Sequence, residues 1–412
     1  MITWRTGVVV ARGVAWAGAQ EVQVRLGADG APPAPPLPAG TQVRALAYPA
    51  LVGDPDVGDR VLLNVSALAR DLGTGGYALV VALPDAPPTD PSPGPGHLVK
   101  ARYTPLQALV LGVDEQESAS HDLLREADDL GGMPVVVADL HSALPAIIAG
   151  ARHAAALAGR PAPRVTYVMT DGGALPAWFS RTVAGLRDAG WIEACVTAGQ
   201  AFGGDLEAVT VHTALLAARL VVGADLTVVA QGPGNLGTGT RWGFSGVAAG
   251  EAVNAVGTLG GHPVASLRVS GADARERHLG ISHHSLTAYG RVALVAADVV
   301  VPVFAPGPSQ SVADADCVPP LTSGSLGALD ALGARVHQQA LALAVPTGRH
   351  RLVPVEAGPD LLAALAASPV GLSTMGRGLA ADPAAFLSAA TAGVHAARLL
   401  WPDPQHGWIQ SR

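Results

Sequence analysis

Residues 1–85 alternate between polar and apolar side chains in short runs separated by turn residues. Glu21–Leu26 alternates without interruption, which is the period of a half-buried β-strand. Short strands with no helix between them predict a small β-barrel of the OB or SH3 type. The predicted barrel strands are Thr6–Ala11, Glu21–Leu26, Gln42–Tyr48, Arg60–Asn64 and Tyr77–Ala82.

Residues 86–96 are rich in Pro and Gly and are interpreted as a linker. From 97 to 412 strand-length apolar runs alternate with helical ones, which predicts an α/β domain whose mainly parallel sheet carries helices on both faces. The predicted strands are Met133–Asp139, Arg164–Thr170, Ile192–Ala198, Leu226–Gln231 and Pro263–Val269, with one or two more in Val292–Val303. The predicted helices are Ser142–Leu157, Ala177–Ala189, Leu206–Val222, Val247–Leu259, Ser285–Gly290 and a last one from Asp382 to Trp401.

Polar residues collect directly after each of the first five strands predicted in the α/β domain. In an open parallel sheet the ligand crevice lies beyond the carboxyl ends of the strands, so this pattern predicts one ligand site across the five loops. The alternative is that loops are always polar and that glycine suits tight turns. The segments are Asp139–Ser142, Thr170–Gly173, Gly199–Asp205, Gln231–Arg241 and Asp273–Ser285.

Gly232–Gly237 has the spacing G-x-G-x-x-G after a predicted strand. A dinucleotide fingerprint would open its helix at once and show an acidic residue about 20 positions later, so NAD binding is disfavoured. We predict instead that backbone N–H groups of the loop, with Arg241, bind a phosphate or carboxylate; a purely structural turn is the alternative. The candidate binding residues are Gly234, Asn235, Gly237, Thr238, Gly239 and Arg241 in this loop, and Gln200, Asp205 and Arg277 outside it.

Asp171, His283 and His284 are the candidate acid/base residues, because carboxylates and imidazoles exchange protons readily. A divalent metal is a second interpretation, with His141, Asp171, His212 and His283 as candidate ligands. Adjacent residues diverge on a helix or strand, so His283 and His284 could share one metal only on an irregular backbone. A hydrogen-bonded network without chemistry is the third interpretation.

Three further residues are assigned to structure rather than chemistry. Ser180 is expected inside a helix and lacks an elbow motif, which disfavours a serine nucleophile. Lys100, the only lysine, is expected to be a solvated charge. Cys195 falls in an apolar strand and is expected in the core. With Cys317 it forms no metal-ligand or redox spacing, which excludes a disulfide framework.

The amino-acid composition and net charge exclude some classes of function. Charged residues make up 14% of the chain, against about 25% in an average soluble protein. The net charge of −7 excludes a globally basic protein, so nucleic acid is not an expected partner. No apolar run reaches the roughly 18 uncharged residues of a membrane span, and the first residues lack a signal-peptide pattern. These features predict a cytoplasmic protein with no membrane partner.

Several motifs together resemble the domain-of-unknown-function family DUF3866. They include ALAYPALVG, VGDRVLLN, LGTGGYALVVA and GHLVKARYTPLQ, then YVMTDGGALP, GQAFGGDLEAV, GPGNLGTGTRWGFSG, RERHLGISHHSLTAYGRVAL and TMGRG. The resemblance implies a bacterial cytoplasmic protein. It implies no activity and assigns no catalytic residue, because the family has no established function.

The leading functional hypothesis is an enzyme, a hydrolase or transferase, acting on a small anionic metabolite at the strand carboxyl ends. The alternative is a binding or regulatory module without chemistry, whose barrel contacts a protein or RNA partner. A third hypothesis is a structural protein whose glycine loops only close the sheet. Apart from the divalent metal of the second interpretation, the sequence does not identify a cofactor.

The low charge and large aliphatic content predict a homodimer, because exposed apolar patches usually find a partner. Sedimentation velocity is expected to show a species of twice the 41.4 kDa chain mass. A single monomeric species over the whole concentration range would contradict this prediction.

Overall fold

The computed structural model describes residues 2–27, 37–304, 323–344 and 349–401, and only the backbone of 323–328. Cys317 lies outside the described residues. The amino-terminal unit is a closed five-stranded barrel with the strand order β1-β2-β3-β5-β4. Its strands are β1 (Trp4–Trp16), β2 (Ala19–Leu26), β3 (Gln42–Ala47), β4 (Arg60–Asn64) and β5 (Ala78–Ala82).

The barrel confirms the sequence prediction, with one strand longer than expected. Strand β1 runs on to Trp16 because irregularities after Val9 and after Arg12 bend it, so that it pairs with both β2 and β4. Val22, Val24 and Leu63 are fully buried inside it. The strand order, with β3 beside β5, is that of a small Greek-key barrel.

The second unit is built on an eight-stranded sheet in which every neighbouring pair is parallel. This confirms the predicted α/β class. The order across the sheet is β11-β10-β9-β12-β8-β13-β16-β17. These strands are β8 (Pro134–Val137), β9 (Val165–Thr170), β10 (Ala194–Thr197), β11 (Leu206–Glu207), β12 (Leu226–Gln231), β13 (His262–Ser266), β16 (Asp298–Phe304) and β17 (Arg351–Ala357).

Short antiparallel strand pairs form separate small sheets beside it. They are β6 (Leu98–Lys100) with β7 (Ala108–Val110), β14 (Val269–Ser270) with β15 (Gly280–Ile281), and β18 (Ser373–Thr374) with β19 (Arg377–Gly378). The helices are α1 (Pro49–Val52), α2 (His121–Leu124), α3 (Leu144–Leu157), α4 (Arg181–Asp188), α5 (Val211–Ala217), α6 (Ala248–Thr258), α7 (His283–Thr287), α8 (Ser323–Ala344), α9 (Pro359–Ala366) and α10 (Pro383–Leu400). None of the helices in the described ranges is long and apolar enough to cross a membrane.

The chain reverses direction across the sheet, and this reversal creates a crevice. The crossover from β8 to β9 runs one way, and the crossover from β12 to β13 runs the other way. Right-handed crossovers therefore place α3 and α6 on opposite faces. Helices α3, α9 and α10 contact one another, and α5 contacts α6. The loops after β8 and β12, which are neighbours, diverge at the carboxyl edge, where ligands bind in this class of sheet.

Several boundaries differ from the sequence prediction. The helix predicted from Leu206 begins only at Val211, because Leu206–Glu207 pairs with β10 as a strand. Ser180 caps the start of α4 instead of lying inside a helix, and its hydroxyl accepts a hydrogen bond from the Val183 N–H. Within Val292–Val303 there is one strand, which begins at Asp298.

The two units meet around one tryptophan. Trp178, which follows β9, packs edge-on against Phe202 and lies near Tyr48 of the barrel. Its carbonyl oxygen accepts a hydrogen bond of 2.7 Å from the Trp16 indole. A side chain at Gly18 would collide with the Trp178 ring, so the barrel contacts the α/β unit with its backbone.

Helices α3 and α10 approach backbone to backbone. A Cβ at Gly150 would collide with the Ala390 carbonyl, and a Cβ at Gly393 would collide with the Ile147 carbonyl. Both helices are otherwise rich in alanine along this seam. Glycine at these two positions therefore sets the distance between the helices.

We predict that Gly393→Ala lowers the free energy of unfolding by about 2 kcal/mol or more, although alanine is the better helix former by about 1 kcal/mol. The reason is that the methyl group meets fixed backbone atoms. Urea denaturation measures the effect. Gly371→Ala is the control, because no atom lies within 4 Å of its Cβ position. Equal stabilities of the two variants would contradict the prediction.

Candidate functional site

An open cleft of ≈ 480 Å³ lies at the carboxyl ends of β8 and β13, and we call it the carboxyl-edge cleft. The loops after these strands form its floor, and the first turn of α10 and the β18–β19 hairpin form its walls. Polar residues on its lining are Asp139, Ser142, Ser266, Arg268, Ser270, Asp273, Thr374, Arg377 and Asp382.

Asp139 is the buried acid of this cleft. It follows β8, and its residue is 2% exposed. Its Oδ2 atom is buried and has no hydrogen-bond partner among the described residues. The nearest charged or titratable neighbours are Arg268 Nη1 at 3.9 Å and His284 Nδ1 at 3.7 Å. A buried carboxylate oxygen without a partner is costly, which points to a ligand, an ion or a water molecule at this position.

Gln231, the last residue of β12, orients the Asp139 segment. Its side-chain Nε2 donates to the Asp139 carbonyl oxygen over 2.9 Å, while its Oε1 is buried without a partner in the described ranges. A Cβ atom at Gly172 would press on the Gln231 side chain, and a Cβ atom at Gly246 would press on Asp139. The tight packing of these loops fixes the Asp139 backbone at the crevice between β8 and β12.

Arg268 is the buried cation of the cleft. Its side chain is 10% exposed, and its Nη1 donates to His284 Nδ1 over 3.1 Å. Its backbone N–H donates to the Ser285 hydroxyl over 2.9 Å. The Nε and Nη2 donors have no partner among the described residues. Arg268 therefore presents a largely fixed guanidinium edge beside the Asp139 carboxylate.

The opposite wall is an ion-pair network that holds the β18–β19 hairpin. Arg377 reaches Asp273 and Asp382, each at 3.3 Å. Arg275 also pairs with Asp273 at 2.9 Å, and this hydrogen-bonded pair holds the pKa of Asp273 well below its ordinary value. Arg275 and Asp273 are therefore occupied with each other.

Three histidines lie behind Arg268, and we call His278, His283 and His284 the histidine cluster. The His284 ring stacks on Phe244 with centroids 3.8 Å apart. The rings of His283 and His284 are 4.4 Å apart, and His278 lies 4.9 Å from His283 and 5.0 Å from His284. Burial lowers the pKa of His278 to about 3 and that of His283 to about 4, so both imidazoles are neutral at pH 7.

The convergence of His283 with His284 differs from the sequence expectation that neighbouring side chains diverge. Both residues lie in the first turn of α7, directly after the extended residue Ser282. The stack on Phe244 turns the His284 ring back toward His283. A short helix that starts abruptly therefore brings the two rings to the same place.

The predicted glycine-rich loop lies beside the histidine cluster and folds on itself. The Thr238 N–H donates to the Gly243 carbonyl over 2.7 Å, and the Ser245 hydroxyl donates to the Asn235 side chain over 2.7 Å. Gly234 and Gly239 have positive φ, which glycine adopts without strain. Phe244 at the end of this loop stacks on His284.

The two arginines predicted to bind an anion with this loop are exposed. Arg241 and Arg277 have no hydrogen-bond or ion-pair partner within the described parts of the chain. A Cβ at Gly239 would lie 3.9 Å from an Arg277 side-chain nitrogen, so Arg277 lies against the loop.

Asp171 and Gln200 contact each other, and neither makes a hydrogen bond to a histidine among the described residues. The exposed Asp171 accepts a hydrogen bond of 2.8 Å from the Gln200 N–H. The Gln200 side chain in turn accepts one of 2.9 Å from the Arg102 N–H. Asp171 thus ties the loop after β9 to the loop after β10.

The four predicted metal ligands His141, Asp171, His212 and His283 do not converge. His212 is exposed on α5, and His141 packs against Tyr167 under the sheet edge. Asp205, a predicted ligand-binding residue, pairs with Arg187 at 2.9 Å and caps the Cys195 N–H. Within the described residues, the groups of three or more potential ligands are the histidine cluster and the set His262, Asp298 and His395.

His141 takes part in a hydrogen-bonded chain. The distance from its Nε2 to the Ser180 Oγ is 2.7 Å, and the distance from its Nδ1 to the Tyr167 hydroxyl is 3.0 Å. Burial lowers the pKa of His141 to about 4. The Ser180 hydroxyl also caps α4 and Ser180 is buried, so the chain ties β9 to α4 rather than exposing a nucleophile.

Lys100 is not a solvated charge, which corrects the sequence expectation. It is 2% exposed and donates to the carbonyls of Ala201 at 3.0 Å and Ala208 at 2.8 Å. Glu207 lies 3.6 Å away. Burial lowers the pKa of Lys100 and raises that of Glu207. The lysine pins the β6–β7 arm to the α/β unit, a contact that the local sequence does not reveal.

Sequence reasoning missed Arg268 and Arg377 as site residues. Arg268 lay inside the predicted strand Pro263–Val269, whereas β13 ends at Ser266 and leaves Arg268 at the carboxyl edge. Arg377 lies in the segment TMGRG, far from any predicted strand. Only α9 and α10, which fold back over the sheet, bring that segment to the cleft.

The fold and the cleft define an α/β protein with a polar site at the carboxyl edge of a parallel sheet and a barrel at its amino-terminal end. The chain belongs to the family described as "Protein of unknown function (DUF3866)", whose pattern matches residues 44–393. No curated protein and no solved structure matches the chain.

We predict that His141 makes stability depend on pH between 6.5 and 4. An ordinary histidine in the unfolded chain has a pKa of about 6.5, so the unfolded state binds more protons in this window and stability falls as the pH falls. With a folded pKa of about 4, the loss from this one group reaches about 3 kcal/mol. Urea denaturation of wild type and His141→Gln at pH 7, 5.5 and 4.5 measures it.

The control for this prediction is His212→Gln, because His212 is exposed. The His141→Gln variant should show a flatter dependence on pH than wild type, and His212→Gln should follow wild type. Parallel pH profiles of wild type and His141→Gln would contradict the assignment.

Proposed function

We propose that the protein is an enzyme that carries out hydrolysis or group transfer on a small anionic metabolite in the carboxyl-edge cleft. One observation carries the proposal: a buried carboxylate oxygen of Asp139, without a partner in the described residues, lies beside a guanidinium with open donors. Buried polar groups without partners collect at functional sites, because a bound ligand completes them.

Arg268 supplies the anion contact. Its Nε and Nη2 donors form the edge that suits a carboxylate or a phosphate, and its burial strengthens the interaction by excluding water. Nη1 is held by His284, so the guanidinium cannot swing out of the cleft without losing that bond. The anion would therefore be held at one place relative to Asp139.

Asp139 supplies the acid/base function. A carboxylate within reach of a bound water molecule or hydroxyl group accepts its proton as that group attacks the substrate. The Gln231 side chain fixes the Asp139 backbone, and Gly246 packs against its Cβ, so the carboxylate keeps its orientation. Such a fixed geometry between base and anion site is what catalysis requires.

Substitutions are expected to distinguish the role of Arg268 in anion binding from the role of Asp139 in turnover. With an anion panel (phosphate, sulfate, small carboxylates, sugar phosphates and acyl phosphates), wild type should show a thermal shift with one class. Saturation at a hundred times Kd raises stability by about 2.7 kcal/mol. Arg268→Gln should abolish the shift. Arg25→Gln is the control, since Arg25 is exposed on the barrel.

Asp139→Asn should keep the thermal shift but lose turnover of the matching phosphoester, ester or acyl phosphate by about 10²–10⁴-fold. Binding with no turnover in wild type would favour the binding-module hypothesis instead. A shift that survives in Arg268→Gln and disappears in Arg241→Gln would move the anion site to the glycine-rich loop, and the proposal would fail.

A further inference from the structure

Each member of the histidine cluster places one ring nitrogen close to a ring nitrogen of the other two. The three ligand atoms of His278, His283 and His284 all lie within 4.8 Å of one another. Around a tetrahedral zinc ion with bonds of about 2.0–2.1 Å, two ligand nitrogens are about 3.4 Å apart. Small rotations of the three rings would therefore bring these nitrogens to coordination distance.

Within the described residues, each of the three rings has one nitrogen that makes no hydrogen bond. Ser282 Oγ contacts His278 Nδ1 over 2.8 Å, which leaves the Nε2 of His278 available. His283 Nε2 is buried and has no partner among the described residues. Arg268 Nη1 donates to His284 Nδ1, so the neutral His284 ring carries its proton on Nε2. Coordination through Nε2 would require the proton on Nδ1 and the loss of the Arg268 bond at that nitrogen. A metal ion would then give each of the three imidazole nitrogens a partner.

Hydrogen-bond acceptors for the outer ring nitrogens of these histidines lie close by. A histidine that binds a metal through Nε2 carries its proton on Nδ1, and a carboxylate or hydroxyl usually accepts that proton. Asp139 Oδ2, which lacks a partner, lies 3.7 Å from His284 Nδ1, and Ser282 Oγ serves His278. A metal would thus explain two separate orphaned atoms, His283 Nε2 and Asp139 Oδ2.

The second group of potential ligands provides a contrast. Asp298 Oδ2, at the amino edge of the sheet, contacts the Nε2 atoms of His262 at 2.8 Å and His395 at 2.7 Å. Arg351 also binds the same carboxylate with two of its nitrogens. Each nitrogen here has its acceptor and the carboxylate is saturated, so this set is a structural ion-pair network rather than a vacancy for a cation.

From this geometry we infer that the histidine cluster is a binding site for one divalent transition-metal ion of the zinc class. Three imidazoles without a thiolate suit zinc, and a three-histidine set leaves a fourth position for water or a ligand, as in catalytic rather than structural zinc sites. The positive charges of Arg268, Arg275 and Arg277 face the cluster, and Asp139 offsets one of them. The inference does not depend on the proposed anion-binding function of the cleft.

The test measures zinc on the untagged full-length protein after chelator treatment and dialysis against zinc sulfate. Mass spectrometry of the eluted metal should give one zinc per chain, and competition with a chromogenic chelator gives the affinity. His283→Ala should lose stoichiometric zinc. Asp139→Asn should bind roughly 10–100-fold more weakly, because it loses the outer-shell acceptor. His212→Ala, which removes an exposed histidine, should bind like wild type.

X-ray absorption at the zinc edge of the wild-type complex keeps the test decisive if a histidine variant fails to fold. The expected signature is three imidazole ligands and one light oxygen-type ligand. No stoichiometric zinc in wild type, full zinc retention in a folded His283→Ala, or fewer than three imidazoles would overturn the inference. Loss of zinc in His262→Ala but not in His283→Ala would overturn it as well, by moving the ion to the amino edge. Anion shifts measured without zinc test the cleft separately.

Discussion

The burial of the parallel sheet on both faces is the constraint on which the rest of the structure depends. All residues of strands β8 and β12 are buried, since helices cover them above and below. Buried charged side chains such as Asp139 and Asp298 therefore lie at the strand ends, at the two edges of the sheet. At the amino edge they saturate one another around Asp298. At the carboxyl edge, Asp139 Oδ2 and His283 Nε2 have no hydrogen-bond partner among the described residues.

The difference between the two edges has a physical cause. At the amino edge Asp298, His262 and Arg351 begin three neighbouring strands, and the strand spacing brings their side chains directly into contact. At the carboxyl edge the loops after β8 and β13 separate and leave a gap, into which the carboxyl-edge cleft opens. Asp139 and Arg268 lie on the border of that gap, 3.9 Å apart, with the cleft on one side and the histidine cluster on the other.

The proposed anion site and the proposed metal site share two residues, Arg268 and Asp139. Arg268 contacts His284 and lines the cleft, and Asp139 faces both as well. Both proposals therefore rest on the same buried carboxylate and guanidinium.

The sequence alone determined the barrel, the parallel sheet and the position of most strands, because periods of two and alternating strand and helix runs are local properties. It also placed polar residues at the right edge, and His283 and His284 among them. Tertiary structure decided which residues meet. It turned Asp171 toward Gln200, buried Lys100 under Ala201 and Ala208, and brought Arg377 to the cleft through α10. These contacts join residues from distant parts of the chain, and their geometry depends on helix packing and crossover direction, which no local pattern in the sequence records.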